Sequence, residues 1–216
     1  MELRGVATGK VYDTFCTINP QRAYGADVLS RIDASNKGEG KKLQEVIQSV
    51  IEKGIITLCQ KGKERGLCKP KKAFLAGNTT MGHLLMGYDC ESLGVFPFTP
   101  VNVDFIRLNG AELLGGDVKS LPGLEKTEVT LLPGISAFVG GDITSGMLAC
   151  DFMKTDEISL LVDLGTNGEM ALGNQEKVLV TSTAAGPAFE GGNIEWGTGS
   201  ISGAICAVKI DENQNA

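Results

Sequence analysis

The chain has 216 residues, a net charge of −6, 29 glycines and six cysteines with a single histidine. This length supports one large or two small domains with a real core, and the acidic balance excludes a broad nucleic-acid surface, which needs a basic stripe. The glycines follow no period, which excludes collagen and low-complexity readings; they gather at the ends of apolar runs, where turns and ligand loops sit.

In chain order, residues 1–18 read as strand, turn, strand, with the turn at Ala7-Thr8-Gly9-Lys10. A short helix is predicted over Tyr24–Ile32, then a polar loop from Asn36 to Gly40. From Lys41, residues Leu43, Val46, Ile47, Val50 and Ile51 recur at helical spacing, predicting an amphipathic helix to Cys59 despite Gly54. Lys61–Lys72 is a basic loop. A buried strand is expected over Lys72–Ala76, followed by a helix capped by Thr79 and closed by Gly87. Cys90–Val103 reads as extended, Gly110–Gly116 as a short helix and Val129–Pro133 as a strand. Gly140-Gly141-Asp142 opens a helix through Met147, where Asp142 is either an ordinary cap or part of a nucleotide-facing loop.

The segment Ile158–Gly173 carries the most chemistry. An apolar, buried-looking strand (Ile158, Leu160, Leu161, Val162) ends on Asp163, Gly165-Thr166-Asn167-Gly168 reverse the chain, and Glu169 begins a second strand. Glycines let backbone N–H groups approach anionic oxygens, and a carboxylate at a strand end can hold Mg²⁺. The plain alternative is a hairpin with Asn-Gly in a type I′ turn. A third strand over Lys177–Thr181 completes an antiparallel meander; a second glycine-rich connection spans Ala184–Gly192, a last strand Gly203–Ile210, and the tail is polar. Together these elements predict an α/β protein with a mixed sheet and flanking helices.

No two cysteines form a Cys-x-x-Cys pair, so clustered-thiolate zinc and iron–sulfur sites find no support. Scattered cysteines among apolar neighbours are the pattern of reduced core residues in a cytoplasmic protein. Met1-Glu2-Leu3-Arg4 lacks an apolar signal region, no run approaches the ~20 apolar residues of a membrane span, and the sequon at Asn78 stands alone.

Six ordered segments, AYGADVLSRI, AGNTTMGHLLMG, PFTPV, SAFVGGDITSGMLA, LLVDLGTNGEMALG and TSTAAGPAFEGGNI, resemble the ATP-dependent reductive activators of corrinoid proteins. The resemblance implies an ATPase domain of the actin, sugar-kinase and heat-shock-chaperone superfamily, with a ribonuclease-H-like core. It implies that ATP drives one-electron reduction of an inactive Co(II) corrinoid protein to Co(I), with electrons arriving through an iron–sulfur cluster. By the same resemblance the cofactors are ATP and Mg²⁺, and the partner is a corrinoid protein or a corrinoid-dependent methyltransferase, with no nucleic acid and no membrane. Whether the chain forms a homodimer is left open.

The resemblance also places the site. Asp163, Gly165, Thr166 and Glu169, with Asn167 and Gly168, match the second phosphate loop. Asp163 and Glu169 are the candidate catalytic residues, Asp163 as Mg²⁺ ligand or water-positioning group. Gly165 and Thr166 are phosphate contacts. Gly141 and Asp142 match the turn before the connecting helix, and Gly186 and Glu190 match Gly-Pro-Ala-Phe-Glu-Gly; the roles of Asp142 and Glu190 are open between ligand contact and structure. Family members open the ATPase core on a strand ending Asp-Ile-Gly-Thr-Thr and carry a downstream adenosine segment and a ferredoxin region. The chain lacks all three, so it is expected to be incomplete at both ends, to hold no iron–sulfur cluster, and to comprise 1–133 as the N-terminal part of the core and 134–216 as a partial second subdomain. Gly82 stands where a histidine beside His83 is expected, so His83 is read as a helix-surface or packing residue. Two other readings stand beside this one: a docking or dimerisation module without chemistry of its own, and a small-molecule kinase of the same superfamily, for which no general base can be named.

Overall fold

A hairpin begins the chain: strands β1 (Glu2–Arg4) and β2 (Val11–Thr14) pair antiparallel. The structure, a computed structural model, describes residues 1–64, 66, 70–115, 124–165 and 167–184. The expected strand over Gly203–Ile210 and the polar tail lie outside the described residues. Two compact units divide between Asp151 and Phe152, eighteen residues or so beyond the 133/134 boundary expected from the sequence.

In the first unit, helix α1 (Val28–Ala34) starts one residue after Asp27, whose side chain accepts from Ser30 N–H at 2.7 Å in a capping box. Those Ser30 bonds hold the Asp27 carboxyl below its ordinary value. The predicted loop at Asn36–Gly40 is instead a π-helical turn over Ser35–Glu39 with Gly38 at φ 95°, which joins α1 to helix α2. That helix, Gly40–Glu64, runs five residues past the predicted end. Gly54, which argues against a helix interior, is where the hairpin packs: a Cβ there would collide with Met1 Sδ and lie 2.9 Å from Phe15 Cδ1.

Strand β3 (Lys72–Leu75) leads into helix α3 (Thr79–Met86). The cap is Asn78, not Thr79: Asn78 Oδ1 accepts from Met81 N–H at 2.9 Å, while Thr79 Oγ1–H donates to the Ser136 carbonyl at 2.6 Å. Gly87 ends α3 in the left-handed region. The expected extended run after Cys90 contains helix α4 (Glu91–Gly94) and a tight turn in which Phe98 N–H donates to Val95 O at 2.7 Å. Strand β4 (Ile106–Asn109), absent from the sequence reading, precedes helix α5 (Gly110–Leu114). Strand β5 (Glu128–Leu131) then pairs with both neighbours in the order β3-β5-β4, parallel to β3 and antiparallel to β4. Among the described residues β3 is thus an edge strand, and Phe74 is 64% exposed rather than buried. Helix α6 (Gly141–Ala149) closes the unit.

Two clusters form its core. Ile51, Ile55 and Cys59 of α2 pack with Leu85, Leu113, Leu124 and Val129, while Ile32, Leu43, Leu84, Cys90 and Leu93 join α1–α4. Cys59 and Cys90 are core residues as expected, but Cys16 and Cys150 are exposed.

His83 is 1% exposed, so it belongs to the packing and not to the helix surface. Val101 N–H donates to Nε2 at 2.9 Å, which puts the ring proton on Nδ1, 2.9 Å from the Thr79 carbonyl. The neutral ring therefore ties α3 to the loop before β4. Burial pushes the imidazole below its ordinary value, against a smaller upward pull from the Thr79 carbonyl. Below about pH 6.5 the unfolded chain takes up this proton before the folded one, so stability falls with pH through that window down to the lowered folded value. Because His83 is the single histidine of the chain, a urea midpoint at pH 5.5 is expected below that at pH 7.5. His83→Gln should flatten this step; an unchanged pH dependence in that variant would place the titration elsewhere.

In the second unit, strands β6 (Ser159–Leu164), β7 (Asn167–Gly173) and β8 (Val178–Ala184) form the predicted antiparallel meander in the order β6-β7-β8. The expectation of a buried first strand does not hold among the described residues. Leu160, Val162 and Leu164 line one face with Leu172 and Leu179, and all five are exposed, Leu164 at 83%. Runs of apolar residues mark strands covered on both faces, and this face has no cover among the described residues. Among the described residues the strands are distributed over three separate sheets, and only β3-β5-β4 mixes parallel and antiparallel pairs. No helix among the described residues is long and apolar enough to cross a membrane.

Candidate functional site

The β6–β7 hairpin shows how local sequence sets the site. Its register pairs Leu164 with Gly168, so the reversal is centred on residue 166. Asn167 and Gly168 are already strand residues, and Gly168 pairs with Leu164, so Asn167-Gly168 are not the two central residues of a type I′ turn. Thr166 itself lies outside the described residues, as do Gly186 and Glu190. Gly165 N–H donates to the Asn167 carbonyl at 2.9 Å and closes the hairpin end.

This register brings Asp163 directly opposite Glu169. Cross-strand partners project from the same face of the sheet, and like charges so placed repel. The next pair along that row is Glu169 with Ser182 on β8. Ser182 Oγ–H donates to Glu169 Oε1 at 3.1 Å. The row Asp163–Glu169–Ser182 therefore spans all three strands at the hairpin end. Asp163 is exposed and Glu169 half-buried, so both carboxylates are reachable by a ligand.

Gly165 adjoins this row, and neither its backbone nor its packing requires glycine. Its φ is not in the left-handed region, and among the described residues a Cβ there would meet only Asn167 O at 3.7 Å, an ordinary contact. Among the described residues the missing side chain leaves space at the hairpin end, as a glycine does where a ligand approaches backbone.

Gly140 and Gly141 have the opposite character. A Cβ on Gly140 would lie 2.6 Å from both Asn78 Cα and Thr79 N, and one on Gly141 would lie 2.8 Å from Leu132 O. The turn before α6 is pressed against the β3–α3 turn, and these glycines are required by packing. Asp142 is the second residue of α6, not its N-cap, which is Gly140. Its N–H donates to Gly77 O at 3.2 Å and its Oδ1 accepts from Ile143 N–H at 2.9 Å. A carboxylate there also suits the positive end of the helix. Gly141 and Asp142 belong to the first unit, and Asp163, Gly165, Asn167, Gly168 and Glu169 to the second.

The donor set at the hairpin end suits a hard cation that completes its shell with phosphate oxygens and water. Mg²⁺ is held in this way, by one or two carboxylates rather than by an all-protein cage. Among the described residues no group of three or more histidine, cysteine, aspartate or glutamate side chains could hold a metal unaided. The residues present thus fit Mg²⁺ delivered with a nucleotide. Sequence reasoning named Asp163 and Glu169 but missed Ser182; the signal was its place in the third strand of the meander, which only the register aligns with Glu169.

Residues 1–155 match the family model described as the RACo middle region, and residues 157–216 match the C-terminal domain of RACo, the ASKHA domain. The chain is 34% identical over 205 residues to the corrinoid activation enzyme RamQ of Eubacterium limosum, covering 94% of this chain and 33% of RamQ. It is 43% identical over 86 residues to the [Co(II) methylated amine-specific corrinoid protein] reductase of Methanosarcina barkeri, covering 40% of this chain and 16% of that protein. A solved structure of a reductive activator for corrinoid, iron–sulfur protein superposes with a TM-score of 0.77 at 37% identity, over 99% of this chain and 33% of that chain. The chain thus spans about a third of the length of RamQ and of the solved activator. On these matches the chain belongs to the RACo family, carrying its middle region and, from residue 157, matching its actin-like ASKHA domain.

Proposed function

We propose that this chain forms part of an ATP-dependent activator that returns Co(II) corrinoid proteins to Co(I). The observation that carries this reading is the Asp163–Glu169 pair beside an open glycine at the end of a hairpin, in a chain whose relatives are named for corrinoid activation and Co(II) corrinoid reduction. Two facing carboxylates can share a divalent cation, and Mg²⁺·ATP would supply both the cation and the oxygens that complete its shell. Asp163 contacts the ion directly or through water, Glu169 stands across from it, and the Gly165 backbone makes room for phosphate. When bound, Mg²⁺ neutralises phosphate charge. The fold we assign to the site is the ribonuclease-H-like core of the actin superfamily, in which nucleotide binding is linked to cleft motion. The partner we assign is a corrinoid protein or a corrinoid-dependent methyltransferase.

Phosphoryl transfer needs the phosphates positioned from both sides, and the loop assigned here, Asp163–Glu169, holds them from one. Calorimetry on the chain is therefore expected to show Mg²⁺·ATP binding no tighter than roughly millimolar, about −4 kcal/mol, with little turnover. Submicromolar affinity or rapid hydrolysis by the chain alone would contradict this reading.

A further inference from the structure

We infer that Ser182 is a positioning residue for Glu169, and that its hydroxyl sets how the two carboxylates meet a nucleotide-bound divalent cation. This rests on the reading of the hairpin end as the Mg²⁺·ATP corner. Three features of the sheet carry it. The register aligns Asp163, Glu169 and Ser182 in one row across β6, β7 and β8. Ser182 Oγ–H donates to Glu169 Oε1 at 3.1 Å, from the side of Glu169 opposite Asp163. Ser182 is half-buried, so the bond is partly shielded from competing water.

The physical consequence follows from charge. Asp163 and Glu169 repel, and an unrestrained glutamate relieves the repulsion by turning its carboxylate away. A hydroxyl holding one oxygen of Glu169 removes that freedom and takes up part of its charge, leaving the second oxygen available to the cation. Hydrogen bonds to a charged acceptor are strong enough to fix a side chain in this way. Ser182 itself touches neither phosphate nor metal in this scheme; it acts through Glu169.

The test uses the whole 216-residue chain and reads affinity by amide NMR shifts of Leu164–Glu169, titrating ATP with and without Mg²⁺. The quantity of interest is the factor by which Mg²⁺ strengthens ATP binding. Ser182→Ala is expected to cut this factor about threefold to tenfold, with metal-free ATP affinity and melting temperature unchanged, and Ser182→Thr should restore it. In a Glu169→Gln background, Ser182→Ala should have no further effect. A factor unchanged by Ser182→Ala, while Asp163→Asn and Glu169→Gln abolish it, overturns the role of Ser182 alone. A factor unaffected by Asp163→Asn and Glu169→Gln overturns the nucleotide corner itself, and the role of Ser182 with it.

Discussion

Gly140→Ala is expected to unfold much of the first unit's stability, lowering it by about 3 kcal/mol or more. The added Cβ would sit 2.6 Å from Asn78 Cα and from Thr79 N, and 2.7 Å from Asn78 C. These are backbone atoms at the start of α3 and cannot turn aside as a flexible side chain would. Forcing atoms into a packed interior commonly costs about 1–3 kcal/mol, and a clash between two main chains belongs at the upper end or beyond it. The displacement would also disturb Thr79, whose hydroxyl holds the Ser136 carbonyl at 2.6 Å. Urea denaturation should show a large drop in midpoint with an unchanged slope. Gly165→Ala is the matched control. Among the described residues its Cβ would meet nothing nearer than 3.7 Å, so its stability should stay within about 0.5 kcal/mol of the parent. Equal stability of the two variants would mean that the turns before α3 and α6 do not abut.

Asp163→Asn is the second large effect, and it falls on ligand binding rather than on folding. Replacing an exposed carboxylate away from the core changes stability by about 0.5 kcal/mol or less. Here the sign should be favourable, because the substitution removes a like-charge pair with Glu169. Binding of Mg²⁺·ATP should weaken at least tenfold, or about 1.4 kcal/mol, while metal-free ATP is little affected. A variant that melts higher yet loses the magnesium-dependent part of its affinity is the signature of a charge retained for a ligand at the expense of the fold. NMR titration alongside thermal melting reads both quantities on one sample. Undiminished magnesium dependence in Asp163→Asn would remove this residue from the site.

The contrast between Gly140 and Gly165 shows what pattern reading can reach. Both stand in glycine-containing turns at the end of an apolar segment, and the sequence offers the same two explanations for each. Only the neighbours decide. Gly140 faces the backbone of a segment about 60 residues earlier in the chain, and among the described residues Gly165 meets nothing nearer than 3.7 Å. His83 is a similar case. Its packing role is legible in an apolar helix, but the tautomer is set by Val101 N–H, 18 residues away.

Much of the secondary structure was legible because it is local. Alternation and turn residues marked the opening hairpin and the β6-β7-β8 meander, and helical spacing marked α2. Strand β4 was missed because four residues, Ile106–Asn109, two of them polar, give too short a pattern to separate from a loop. Helix α2 starts directly after the π-helical turn Ser35–Glu39, at Gly40, and runs through Gly54 without a break.

By itself the sequence determined the order of most elements, the acid–glycine–acid hairpin and the family to which the ordered motifs point, because these depend on neighbours within a few residues. Tertiary structure alone decided which residues face one another. The hairpin reversal is centred on residue 166, and this sets Asp163 opposite Glu169 and Glu169 opposite Ser182. A shift of one residue would have sent these side chains to opposite faces of the sheet. Register depends on turn length and on pairing across strands, so no single segment encodes it.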